Sequence, residues 1–381
     1  MRKDYFIFMP SVPGSLEEEW EQCFVQVLNR TGDGYRLLKL NVFIDSADPD
    51  FFVKQKKYIG NFLIDRMGSQ CPAISITIHP PENPWKVSAE GMFIKAEAAE
   101  VITKFWKSIP YVILGPESKK EVWAAGLGDD ILSDSTRSAA VKSFEMISGI
   151  LDQEEMSYND LIRQWNYIGN ILEINKGYQN YQIFNEVRSE YYSRNRTVQG
   201  FPSATGIGMK LGGVYLDFCA VRNSPAVKIR AVNNPNQVNA YQYGQRVLKG
   251  LIEKGKPAKN PPQFERALII ANNHWKTLFV SGTASIIGQE TIGKGDVAGQ
   301  TQVTIENINK LIDAGYLGKL TGQELSRGRC TLIRVYVKDQ ADFCVVKDIC
   351  GEHFPEAPAI YIEADICRDD LLVEIEAEYS F

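Results

Sequence analysis

The final apolar stretch of the chain, LLVEIEAEY, sets Glu374, Glu376 and Glu378 two residues apart with Ile375 and Ala377 between them. If the segment is a β-strand, all three carboxyl groups project from one face. On a solvent-facing strand such acids are simply ionised. On a buried face an acid keeps its proton near neutral pH and can deliver it to a reacting atom. The spacing leaves both open. Arg188 continues a helical run that carries Tyr181, Phe184 and Asn185, and it suits either a forked donor to a carboxylate or a surface salt bridge. In SATGIG, Thr205, Gly206 and Gly208 fit a backbone that a ligand approaches closely, or a bulged strand. Ser281, Gly282, Thr283 and Ala284 form a similar turn-like set. Cys367, seven residues before Glu374, is either an inert buried thiol or part of a pocket wall.

Other chemistries have no residues to carry them. GxGxxG, P-loop and nucleophile-elbow patterns are absent, which removes nucleotide and acyl-enzyme mechanisms. His79, His274 and His353 lie far apart without ligand-like partners, so no metal is expected. Seven scattered cysteines, an odd number, suit reduced thiols rather than a disulfide framework. The net charge of −5 contains no run of Lys and Arg, which disfavours nucleic acid as a partner. The opening MRKDYFIFMPSVPG is too briefly apolar for a signal peptide, and no stretch approaches the roughly 18 apolar residues of a membrane span. A soluble cytoplasmic protein is the expectation.

The elements that must position these residues recur three times. Each segment reads as a strand, an amphipathic helix, a Pro-Ala or Pro-Ser-Ala element and two further strands, over residues 37–95, 161–221 and 331–380. Strands follow from alternation in LIRVYVKD and YLDFCAV. The helix over DFFVKQKKYIGNFLIDRM follows from Phe51, Phe52, Tyr58, Ile59, Phe62 and Leu63 at steps of three and four, with Asp50 as the expected N-cap. Each repeat is preceded by a strand entering a helix. The chain therefore reads as three β-β-α-β-α-β-β-like units, spanning 1–104 (trimmed), 105–225 and 226–381. Between the second and third lies an irregular stretch rich in Asn, Pro and Gly, with tyrosines and arginines. Residues 244–262 within it look like an exposed insertion, and the stretch suits a lid or pocket wall.

This α+β unit resembles the RidA (YjgF)-like family, with its chorismate-mutase-like barrel, whose members trimerise with ligand clefts between subunits. Three units in one chain resemble a trimer made covalently, which implies a pseudo-trimeric monomer. Within that class the chain resembles the chorismatases: RQWNYIGNI, GYQNYQIFNEVR and SATGIG in the middle unit, NPNQVNAYQY and FERA in the join, then SGTASIIGQET and EADICRDDLLVEIE. Three departures stand out. The arginine of RidA imine deaminases falls on Ala359, Gln289 replaces the chorismatase His, and residues 244–262 are inserted between NAYQY and FERA.

The resemblance implies cleavage of chorismate, a small dianionic enol ether, to pyruvate and a dihydroxycyclohexadiene carboxylate or a hydroxybenzoate, with no cofactor. Protonating the enolpyruvyl methylene needs an acid still protonated near pH 7. The match assigns this to Glu374. It implies Arg188, Tyr241, Tyr243 and Arg266 as carboxylate-binding or wall residues. Thr205 and Gly206 would approach the ligand, Ala284 would contact the ring, and Cys367 would influence product choice. A RidA-type enamine or imine deaminase, which Ala359 argues against, and a non-catalytic metabolite-binding protein are the alternatives.

Overall fold

A computed structural model describes residues 2–129, 135–222, 227–272 and 275–381. His274 and the expected 225/226 boundary lie outside the described residues. The first part of the chain runs β1 (Asp4–Phe8), α1 (Leu16–Gly32), β2 (Tyr35–Ile44), α2 (Pro49–Met67), β3 (Ala73–Ile78) and β4 (Val87–Lys95). The middle part runs β5 (Val101–Trp106), β6 (Ile109–Leu114), β7 (Glu121–Leu127), α3 (Thr136–Gln153), β8 (Leu161–Gly169), a ribbon of β9 (Ile174–Asn175) and β10 (Tyr178–Gln179), α4 (Asn180–Asn195), β11 (Ser203–Met209) and β12 (Val214–Val221). The last part runs β13 (Lys228–Val232), β14 (Ala267–Ala271), β15 (Lys276–Ala284), a ribbon of β16 (Ile286–Ile287) and β17 (Glu290–Thr291), α5 (Val297–Leu311), α6 (Ala314–Thr321), β18 (Arg329–Val337), α7 (Phe343–His353), β19 (Ala359–Glu363) and β20 (Val373–Ser380).

The three sheets are ordered β1-β4-β2-β3, β11-β8-β12-β7-β6-β5 and β13-β14-β15-β20-β18-β19. They superimpose as one pattern. In each, a parallel pair (β2 with β3, β8 with β11, β18 with β19) continues into an antiparallel strand (β4, β12, β20) and then another (β1, β7, β15). Among the described residues the first sheet has no counterparts of the two strands beyond, and in this sense its unit is trimmed. Two expectations are corrected. The complete units carry three strands of the main sheet before the first long helix, not two, and β5 runs across the expected 104/105 boundary to pair with β6 in the second sheet.

Local chemistry explains the helix starts. Ser15 and Glu18 form a capping box at α1. At α2 the cap is Asp48, not Asp50: the Asp48 carboxylate accepts from the amides of Asp50 and Phe51, and Pro49 occupies the first turn, where its missing N–H costs nothing. Phe51 stays largely exposed while Phe52, Ile59 and Leu63 pack inward. α4 differs from the rest. Its buried side includes Asn180, Gln182, Asn185, Glu186 and Arg188, so it faces something polar.

Helices cover one face of each sheet, and the other faces meet along a central axis of buried charge. Arg334 of β18 donates to both oxygens of Glu90 on β4 at 2.8 Å and also to Glu376 of β20. Arg163 of β8 reaches Glu376 at 2.8 Å, and Lys39 of β2 reaches Asp217 of β12 at 2.8 Å. Removing one partner of such a pair leaves its opposite bare in low dielectric. Arg334→Ala should therefore lower the unfolding free energy by about 3–5 kcal/mol, measured by urea denaturation at neutral pH.

Candidate functional site

The cleft lies between the second and third sheets, where β11 and α4 face β15 and β20. It encloses about 790 Å³ counted out to its mouth. Glu374, Arg188, Tyr243, Arg266, Gly206, Ala284 and Cys367 all line it. Two expected residues do not. Thr205 sits behind the floor, its hydroxyl spent on Glu376 and on accepting from Arg163 at 2.7 Å. Tyr241 turns away, its hydroxyl accepting from Asn239 at 2.9 Å and its ring packed on Phe201.

Glu374, Glu376 and Glu378 are all buried, so the solvent-facing alternative for this strand does not hold. Each meets a different environment. Glu376 accepts from Arg334, Arg163, Thr205 and Trp165, which together hold it below the usual carboxylate range despite burial. Glu378 accepts from Tyr5 at 2.5 Å. Among the described residues Glu374 has no such partner. Burial, reinforced by the neighbouring Glu376 charge and opposed by Arg266 and Arg163, pushes it up to about 8. It is a carboxylic acid at neutral pH, as a proton donor must be.

Its seat depends on backbone shape. β15 bulges between Val280 and Thr283, a common device beside reactive groups, and turns Gly282 into the cleft. A Cβ at Gly282 would run into the Glu374 carboxyl, so glycine here leaves the acid its present seat. Gly206 similarly leaves room for the Tyr181 ring, which a Cβ would meet at 3.3 Å. Cys367 stands nearby as a thiol: burial, with the Glu374 charge adding, pushes it up to about 12, so it is no nucleophile at neutral pH.

Arg188 and Arg266 are 2% and 4% exposed. Arg188 donates to Asn185 at 2.6 Å, and Arg266 donates to the Val238 carbonyl and the Tyr243 hydroxyl, each at 2.7 Å. Neither forms an ion pair with any carboxylate among the described residues, and an Nε of each has no partner. Buried guanidinium groups without counter-ions are costly unless a ligand supplies the anions. The cleft is therefore built for two negative groups beside a proton donor.

Spacing alone gives no reason to select Gln182, Lys249, Phe264 and Arg368, yet they line the cleft too. The polar inner side of α4 is the one signal that points at Gln182. Lys249 comes from the 244–262 insertion, which forms a wall rather than a free loop. Lys256 pairs with Glu186 at 2.8 Å and Glu190 at 2.9 Å, and the Asn260 amide donates to Glu186 at 2.8 Å. Ala359 opens β19, away from the cleft. Its register counterpart on the cleft side is Ala204 of β11, so neither position offers the deaminase arginine. Among the described residues, no cluster of three His, Cys, Asp or Glu could hold a metal, and no helix is long and apolar enough to cross a membrane.

The profile of the family described as chorismatase FkbO/Hyg5-like, N-terminal, matches residues 118–220. A 3-hydroxybenzoate synthase of Streptomyces hygroscopicus is 37% identical over 253 residues, 64% of this chain and 68% of that protein. A chorismatase of Streptomyces rapamycinicus is 36% identical over 230 residues, 58% of this chain and 64% of that one. The matches thus span about two thirds of the length of these relatives. A chorismatase crystal structure shares the fold over 100% of this chain and 99% of its own, with TM-score 0.66 at 21% identity.

The Glu374 proton has a thermodynamic signature. Its ordinary value is 4.5 and its folded value about 8, so the folded state binds this proton more tightly. The resulting stability is complete below about 4.5 and is lost as pH rises through 8. Glu374→Gln has no proton to lose. Relative to wild type it should gain about 1.4 kcal/mol per pH unit across that window, measured by urea denaturation from pH 4.5 to 9.

Proposed function

The chain belongs to the FkbO/Hyg5-like chorismatase family, and on that premise we propose that it cleaves the enol ether of chorismate to pyruvate and a dihydroxycyclohexadiene carboxylate or a hydroxybenzoate. The observation that carries this is the pairing of two buried, uncompensated arginines with one buried, protonated acid. Chorismate brings two carboxylates and an enol ether whose cleavage starts with protonation of carbon. Arg188 and Arg266 take the carboxylates, and Tyr243, bonded to Arg266, fixes the angle of that guanidinium. Glu374 gives its proton to the terminal methylene carbon, leaving an oxocarbenium-like centre at the ether carbon. Water adds there, its proton passes to the Glu374 carboxylate, and the hemiketal collapses to pyruvate and the ring alcohol. If the substrate's own ring hydroxyl intercepts that centre instead, its proton returns to the Glu374 carboxylate and a cyclic ketal forms; loss of a ring C–H proton with cleavage of one ring C–O bond then aromatises the ring, and the aryl hemiketal that remains collapses to pyruvate and a hydroxybenzoate. Cys367 and Ala284, which line the cleft, would border the ring and bias that choice. No cofactor enters the scheme.

The same proposal covers organisation. Units of 1–104, 105–225 and 226–381, adjusted so that β5 joins the second, would act as a monomer in the cytoplasm, since all three pseudo-trimer interfaces are satisfied within one chain.

Incubating the purified protein with chorismate should release pyruvate, and chromatography of the ring product names the branch. Glu374→Gln should lower kcat by roughly 10²–10⁴-fold, and the wild-type rate should fall above pH 8 as Glu374 ionises. Arg188→Lys, which keeps charge but loses the fork, should raise KM about 10- to 100-fold. Absence of pyruvate from wild type would reject the proposal.

A further inference from the structure

The floor of the cleft is wired to the buried axis. Glu376 stands two residues from Glu374 on the same face of β20, and four donors hold its charge: Arg334, Arg163 at 2.8 Å, Trp165 Nε1 at 2.9 Å and the Thr205 hydroxyl. Thr205 in turn accepts from the Gly282 amide at 3.0 Å. Gly282 is the residue whose missing side chain makes room for the Glu374 carboxyl. A continuous path therefore runs from Arg334 through Glu376, Thr205 and Gly282 to the seat of the acid.

The neighbouring interface holds a related joint without an acid to serve, in which the glycine amide bonds the carboxylate directly rather than through the hydroxyl. Asp217 accepts from the Ser75 hydroxyl at 3.1 Å and the Gly126 amide at 2.8 Å. Ser75 and Asp217 occupy the register positions of Thr205 and Glu376, but the counterpart of Glu374 is Tyr215. The joint on its own is thus structural, and any role in the reaction arises because one copy backs onto Glu374.

We infer that Glu376 is a positioning residue for the reaction: through Thr205 it fixes the Gly282 backbone against Glu374, and its anchored charge holds the proton on that acid. This rests on Glu374 being the proton donor. The groups facing Glu374 are Glu376 on its own strand, Tyr336 from β18, Arg163 from β8, Arg266 from the segment before β14, Tyr181 from α4 and Cys367 from the segment before β20. The two arginines favour the carboxylate. Glu376 is the anion that opposes them.

The test reads the Glu374 proton directly, from the protonated-carboxyl infrared band that Glu374→Gln removes. In Glu376→Gln this band should titrate about one to two pH units lower, and the basic limb of pyruvate release should move with it at unchanged KM. Glu376→Asp, which keeps the charge, should restore the wild-type titration. Thr205→Val leaves every charge in place and cuts the bond to Gly282, so kcat should fall about tenfold while KM and the pH limb stay put. An unshifted Glu374 band in Glu376→Gln overturns the inference. Should that variant not fold, an unchanged kcat in Thr205→Val overturns it. Failure of the chorismatase proposal looks different: no pyruvate from any variant, while the infrared titration still shifts.

Discussion

A guanidinium shut away from water has to find carboxylates, and Arg334 finds one in its own sheet and one in the first sheet. That demand orders much else in the molecule. It fixes β4 against β18 and β20, although Glu90 and Arg334 lie 244 residues apart in sequence. It keeps Glu376 ionised, so the next acid along the strand faces a standing negative charge. Lys39 with Asp217, and Lys3 with Glu121 at 3.0 Å, extend the balance into the second sheet. Such pairs add little net stability over a well-packed apolar core, but leaving one half bare is expensive, so they favour one arrangement of the units over others.

Three copies of one unit in a single chain remove a restriction that binds a homotrimer, in which identical subunits make identical interfaces. Here the interfaces have diverged. Between the first two sheets, Tyr215 occupies the position of Glu374, with Phe52 packed edge-on at 6.2 Å and the Lys56 ammonium 4.1 Å from the ring. Between the second and third sheets the same position carries an acid, and the space around it stays open. The insertion, tied down by Lys256 and Asn260 on Glu186, then walls that one opening.

Inside the cleft, charge is deliberately left unbalanced. The axis pairs its arginines with carboxylates, whereas among the described residues Arg188 and Arg266 donate to an amide, a carbonyl and a hydroxyl and lie over the aromatic rings of Phe184, Tyr243 and Phe264, with no carboxylate partner. The acid beside them is kept protonated by burial and by Glu376. Ionised, it would compete with an anionic ligand for the same guanidinium groups. The two requirements of the proposed reaction, anion binding and proton donation, are thus compatible because the acid is neutral.

How much of this was legible beforehand follows from where each property resides. Repetition, strand alternation and helix periodicity are local, so three α+β units, the trimmed first one and the shared face of Glu374, Glu376 and Glu378 could all be read from spacing. Helix caps were legible only to within a residue or two, because Asp48 and Asp50 are equally good acceptors and Pro49 decides between them. What the sequence could not decide was which faces are buried and which residues meet. A strand bearing three glutamates looks solvated until a second sheet covers it, and Thr205 and Tyr241 look like site residues until the bonds to Glu376 and Arg163 hold the one and the Phe201 contact the other elsewhere. The cleft is assembled from segments spread between Gln179 and Glu374, and only packing of whole sheets against one another, driven by burial and constrained by the charged axis, brings them together.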